Sequence, residues 1–119
     1  MTTEELYRQI GGDYADTLRR LGSSERIQRF LSLFLREDSC RALADALREG
    51  RAEDAFRVAH SLKGMCLNLG LRALGAAADT MTEALRGGRI PPAADALYAE
   101  VKRAYDQVEA GTALLDAPN

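Results

Sequence analysis

His60 is the only histidine in the chain, inside Ala59-His60-Ser61-Leu62-Lys63-Gly64-Met65-Cys66-Leu67-Asn68-Leu69-Gly70. Imidazole offers a nucleophilic nitrogen and a general base, and with a reference pKa of about 6.5 it is largely neutral near pH 7. What it can do depends on where the ring points. On a helical wheel with Ala55 at the origin and ~100° per residue, Ala55, Val58, Ala59, Leu62, Met65, Cys66 and Leu69 form one apolar arc centred near ~340°. His60 falls at ~140°, with Gly64 beside it at ~180°. A core histidine would sit on the apolar arc. This one is expected in water.

Gly64 sharpens the expectation. Glycine inside a helix costs roughly 0.5–1 kcal/mol relative to alanine, yet the apolar pattern runs straight through this position. One turn from His60, a missing side chain leaves room for another macromolecule to approach the imidazole. Lys63, at i+3 from His60, places a cation on an adjoining row. Arg57, at i−3, puts a second cation on the exposed side, where a solvated arginine is the plainer reading. Phe56 and Leu67 fall at ~100° and ~120°, flanking His60 where polar residues are expected. They serve either as apolar contacts for a partner or as wide-stripe residues tucked between neighbouring helices.

With these residues in view, the chain resembles the histidine-containing phosphotransfer (HPt) domains of bacterial and plant phosphorelays. Their signature, His-x-Leu-Lys-Gly followed by small residues and Leu-Gly, is matched by His60 to Gly64 and by Leu69-Gly70. Tyr14 to Gly22 and Phe30 to Leu35 resemble the family's opening helices, Leu43 to Gly50 the helix before the site, and Met81 to Gly88 the close of the helix after it. Roughly residues 10 to 110 are covered.

The resemblance implies that His60 is the phosphoacceptor, with Lys63 offsetting the incoming charge and Gly64 giving clearance. Phe56, Arg57 and Leu67 are then partner-binding candidates. It also implies a carrier without kinase activity of its own, moving a phosphoryl group between the receiver-domain aspartates of a hybrid sensor histidine kinase and a response regulator. No cofactor or metal is expected on this chain; the receiver partner supplies the aspartate and Mg²⁺. Transfer of this kind is nucleophilic catalysis through a covalent intermediate, and it depends mostly on alignment and charge.

Other classes fit less well. No GxxxxGK[ST] loop is present to bind a nucleotide. A hydrolase or isomerase with His60 as general base needs an orienting carboxylate, and Asp54 and Glu53 lie six and seven residues back. A helical adaptor that binds receivers without transferring phosphate stays as the alternative. A net charge of -2 and a pI near 5.4 argue against nucleic-acid binding. No apolar run approaches the ~20 residues that span a bilayer, and the acidic start Met1-Thr2-Thr3-Glu4-Glu5 does not read as a signal peptide, so a cytoplasmic protein is expected. The Met1 start reads as an independent protein rather than an excised domain. Cys66 lies on the apolar arc and reads as a small buried hydrophobe, Cys40 has no assigned role, and the two form no metal pair or disulfide framework.

The elements that must hold this site read as helices throughout, in one domain over residues 1–119. Thr2 with Glu5 resembles a capping box for a short helix ended by Gly11-Gly12, and Asp13 caps a second carrying Leu18 and Leu21. Ser23 or Ser24 starts a third with Ile27, Phe30, Leu31, Phe34 and Leu35 on one side; Asp38 or Ser39 caps a fourth with Leu43, Ala46 and Leu47, closed by Gly50. The site helix runs from about Ala52 to Leu69, with Gly70 as a left-handed stop. Leu71, Leu74, Ala78, Met81 and Leu85 mark the next, ended by Gly87-Gly88. Pro91 or Pro92 suits the first turn of the last, whose stripe is Ala94, Leu97, Val101, Ala104, Tyr105 and Val108. The tail from Asp116 to Asn119 is expected to fray. The fold class is all-α, an antiparallel four-helix bundle with short additional N-terminal helices over one end.

Overall fold

Seven helices account for the regular structure of a computed structural model that describes residues 1–116: α1 (Thr3–Ile10), α2 (Tyr14–Leu21), α3 (Ser24–Arg36), α4 (Ser39–Arg48), α5 (Ala52–Leu69), α6 (Arg72–Leu85) and α7 (Ala94–Thr112). No strand occurs among the described residues. Local chemistry explains most boundaries. The Thr2, Asp13 and Ser23 side chains accept the Glu5, Asp16 and Arg26 amides, which satisfies a free donor at the start of α1, α2 and α3. Gly11, Gly22 and Gly70 close α1, α2 and α5 in the left-handed conformation.

Two boundaries differ from the sequence reading. Asp38 occupies the position before α4, but its backbone is left-handed (φ 50°) and its side chain makes no capping bond. Its carbonyl instead accepts the Arg41 and Ala42 amides. Pro91 and Pro92 do not enter the last helix: the Ala94 amide closes a turn onto the Pro91 carbonyl at 3.0 Å, and α7 begins only there.

The helices bury their stripes against one another. α5 packs against α4 and α6, α6 against α7, and both α3 and α4 touch α5 and α7. Leu31, Leu43, Leu62, Leu74, Met81, Leu85 and Val101 are among the fully buried side chains at the centre. The expected stripes are narrower than drawn: Phe30, Leu35, Leu47, Leu97 and Ala104 are only partly buried. In α2, Leu18 and Leu21 are half-covered while Thr17 is fully buried.

The short N-terminal helices cover the end of the molecule where α5 stops. A buried Tyr7 on α1 donates its hydroxyl to the Leu69 carbonyl at 2.7 Å, and burial pushes that phenol well above its usual range. The Thr17 hydroxyl lies 2.7 Å from the Asp13 carbonyl and 3.2 Å from that of Leu69. The Asp13 amide donates to the Gly70 carbonyl at 2.9 Å. On the far side, Gly111 of α7 lies against the buried Leu6, the end of whose side chain would have to move for any Cβ there. Asp116 does not hang free, since its amide donates to the Met1 carbonyl and its carboxylate sits 3.1 Å from the Met1 ammonium. The rest of the tail expected to fray, residues 117–119, lies outside the described residues.

Gly70 joins two constraints, a left-handed φ of 66° and contact with α2: an added Cβ would collide with the Thr17 hydroxyl and stand 2.9 Å from the Asp13 carbonyl. Gly11 has a similar φ of 69° with nothing within 4 Å. Gly11→Ala should therefore cost only the conformational strain, about 1 kcal/mol, and Gly70→Ala at least about twice that. Urea unfolding of both variants measures the difference; equal losses would show that the fit against Thr17 contributes nothing.

Candidate functional site

The site is built on α5, and its chemistry begins with which face that helix leaves open. Ala55, Ala59, Leu62, Cys66 and Leu69 are buried, a stripe narrower than the expected arc because Val58 and Met65 sit at its edge, half-covered. Opposite this stripe, Arg57, His60, Ser61, Gly64, Leu67 and Asn68 are exposed. His60 thus stands in water in mid-helix. Gly64 lies on the same face, and a Cβ built there would meet nothing within 4 Å. Among the described residues, nothing fills the space beside Gly64.

Phe56, one turn before His60, is half-buried against the core and stacks on the imidazole, with ring centres 5.9 Å apart and planes 8° from parallel. The Arg86 guanidinium of α6 lies over the Phe56 ring, 5.3 Å from its centre. Phe56 is therefore neither a free surface anchor nor a core residue; it is a platform shared by two helices. Leu67 is different, being 67% exposed. Arg57 is exposed and paired with Asp54, whose carboxyl is held below the usual range by hydrogen bonds from Arg51 and Arg57.

Lys63 does not reach toward His60. Its ammonium sits 2.8 Å from the Asp79 carboxylate of α6. From Phe56 to Lys63 and from Asp79 to Arg86 the chain advances about two turns on each helix, so these two cross-helix contacts define an antiparallel register. That register sets buried Thr82 and exposed Glu83 level with His60. Both oxygens of Glu83 are engaged by Arg86, at 3.0 and 2.8 Å, and those bonds hold its carboxyl below the usual range. Sequence reasoning missed the α6 side of the site. The acids at 79 and 83 are visible as an i,i+4 pair, but no wheel tells which helix they will face.

The sequence reading also missed the anchoring of the far end of α5. Arg20 of α2 donates to the Leu67 and Asn68 carbonyls at 3.0 and 2.7 Å, next to the Tyr7 and Thr17 bonds to Leu69. A cation and two hydroxyls thus meet carbonyls that a helix end leaves without partners. Beside this end a cleft of about 420 Å³ opens between α5, α6 and α2, with Lys63, Leu67, Gly75 and Asp79 in its wall. Burial pushes the Cys66 thiol up to about 12 and that of Cys40 to about 11, which removes both as nucleophiles near neutral pH. Among the described residues, no group of three or more His, Cys, Asp or Glu side chains is placed to hold a metal ion. No helix among them is long and apolar enough to cross a membrane.

Comparison with protein families finds a match between residues 29–111 and the family described as Hpt domain. The match begins within α3, later than the start near residue 10 suggested by the sequence pattern, and leaves α1 and α2 outside it. No curated protein and no solved structure matches the chain.

Gly64 carries the first prediction of the site. Because its neighbourhood is open, Gly64→Ala should stabilise the fold by roughly 0.5–1 kcal/mol through helix propensity alone. Gly64→Leu should fold equally well, its side chain projecting over the His60 face. A loss of thermal stability in either variant would mean that this face is packed rather than open.

Proposed function

Because the chain belongs to the Hpt domain family, whose members carry phosphoryl groups on histidine in two-component signalling, we propose that it is a phosphorelay carrier with His60 as its phosphoacceptor. The observation that carries the reading is the exposed imidazole in mid-helix beside the open space at Gly64. The contacts of α3 to α7 fit an antiparallel four-helix bundle in which α3 and α4 share one position and α1 and α2 cover one end, all within a single domain. A carrier needs little more than a rigid platform for one nucleophile.

The chemistry runs through the imidazole lone pair. The unprotonated ring nitrogen attacks the phosphorus of an aspartyl phosphate on a receiver domain. An N–P bond forms as the O–P bond breaks, and its electron pair returns to the aspartate carboxylate. The other ring nitrogen keeps its proton. Delivery to a second aspartate reverses these changes. Phe56 limits how the ring can turn, Gly64 lets the donor come close, and Lys63 meets the arriving negative charge. Leu67 and Phe56 give apolar contact to the docked receiver, and Arg57 a polar one.

The partners in this reading are a response regulator receiver domain and a hybrid sensor histidine kinase, with Mg²⁺ held by the receiver. The carrier has no cofactor and no kinase activity of its own, and it acts in the cytoplasm without nucleic acid or membrane.

Incubation with a phosphorylated receiver should place an acid-labile, base-stable phosphate on the chain, and His60→Gln should abolish it with helical content and melting unchanged. Retained labelling in His60→Gln sinks the assignment. Receiver binding with no label on the wild-type chain would make it an adaptor instead.

Docking separates from chemistry on the same face. Leu67→Ala should weaken receiver binding by about 1–2 kcal/mol and leave stability within about 0.5 kcal/mol of wild type, because the side chain is largely in solvent. Phe56→Ala should lower both binding and melting temperature, since its ring is half in the core. Calorimetric affinity and thermal melts of the two variants test this, and normal receiver binding by Leu67→Ala would remove it from the docking face.

A further inference from the structure

Two acids and two bases face each other beside His60, and they are not equivalent. Glu83 is held by two nitrogens of Arg86, Nε and one terminal nitrogen, and that guanidinium is also stacked on Phe56. Arg86 is therefore committed twice. Asp79 and Lys63 have only each other as ion-pair partners among the described residues, through a single contact of 2.8 Å. Their side chains are 48% and 32% exposed, so either can be solvated when the pair opens. A lysine ammonium is a point charge on a flexible stem with three donors, and it can be re-aimed where a forked guanidinium cannot.

Resting on the carrier reading above, we propose that Asp79 is a latch on Lys63, a positioning residue that holds the ammonium on α6 until His60 is phosphorylated and competes for it afterwards. Lys63 lies three residues beyond His60 on α5, within one turn of the ring. A phosphoryl group brings close to two negative charges to that point, against one on Asp79, so the ammonium is drawn across. Exposed ion pairs contribute little, which makes the exchange easy in both directions. The strength of the latch then sets how far the phosphohistidine is stabilised, and hence how readily it passes its phosphoryl group on. No bond of the transfer involves Asp79.

The test labels the full chain with potassium phosphoramidate, a small donor that needs no receiver, and follows loss of phosphohistidine by phosphorus NMR. Asp79→Asn should lengthen the half-life about 1.4- to five-fold, the range into which the strength of an exposed ion pair converts. Lys63→Met should shorten it. In the Lys63→Met background, Asp79→Asn should have no further effect, because there is no ammonium left to release. Asp106→Asn, which removes an anion from the Lys102 pair on α7, should leave the half-life at the wild-type value. An unchanged or shortened half-life in Asp79→Asn overturns the latch. So does a lengthening that survives in the Lys63→Met background, which would be plain charge repulsion. A wild-type chain that takes no label, or label retained in His60→Gln, overturns the carrier reading and the latch with it.

Discussion

The end of α5 is the constraint on which the rest of the site depends. An α-helix leaves its last carbonyls without partners, and here those of Leu67, Asn68 and Leu69 are met by Arg20, Thr17 and Tyr7 from two other helices. Tyr7 is fully buried and its hydroxyl has no water to turn to, so its bond is obligatory rather than decorative. Gly12 and Gly70 let the backbones approach: a Cβ on Gly12 would stand 2.9 Å from the Gly70 carbonyl. Together these contacts fix both the axial position and the rotation of α5. A rotation of one residue step, ~100°, would carry His60 off the open face.

This anchoring gives α1 and α2 a purpose that their size does not suggest. Each has eight residues, too few to be stable alone in water. They persist because Leu6, Tyr7 and Ile10 enter the core and Thr17 faces the carbonyls of α5. They lie outside the span matched by the family, yet they hold the helix that carries His60 within that span. Arg20 does this from the surface, placing a cation at the negative end of the α5 dipole.

Much of this was legible from residue spacing. The bounds of α5, the glycine stops, and the exposure of His60 and Gly64 follow from a 3.6-residue period and from φ preferences, which are local properties. What escaped depends on which helices meet. Thr17 breaks the apolar pattern of α2 because its buried face looks onto carbonyls rather than side chains, so no hydrophobic stripe could announce it. The Asp38 cap failed because its left-handed backbone takes the side chain out of reach of the amides. Phe56 sits on the exposed half of an ideal wheel, but its ring packs against the core and Arg86, just past the end of α6, lies over it. The engagement of Lys63 with Asp79 escaped as well, because it needed the register of α5 against α6.

That register also sets four charged residues in two ion pairs beside the exposed imidazole. Asp79 and Glu83 would repel an anionic phosphoryl donor if they were free. Each is matched by a cation of its own. The two pairs differ in stiffness: a bidentate guanidinium fork stacked on an aromatic ring on one side, a single ammonium contact on the other. The stiff pair and Phe56 keep the ring oriented and the local charge constant. In the carrier reading proposed above, the loose pair is the part of the site that can respond to phosphorylation of the imidazole. For the carrier proposed above, a site made only of stiff pairs would have no cation to give to a phosphoryl group, and one made only of loose pairs would let the ring wander.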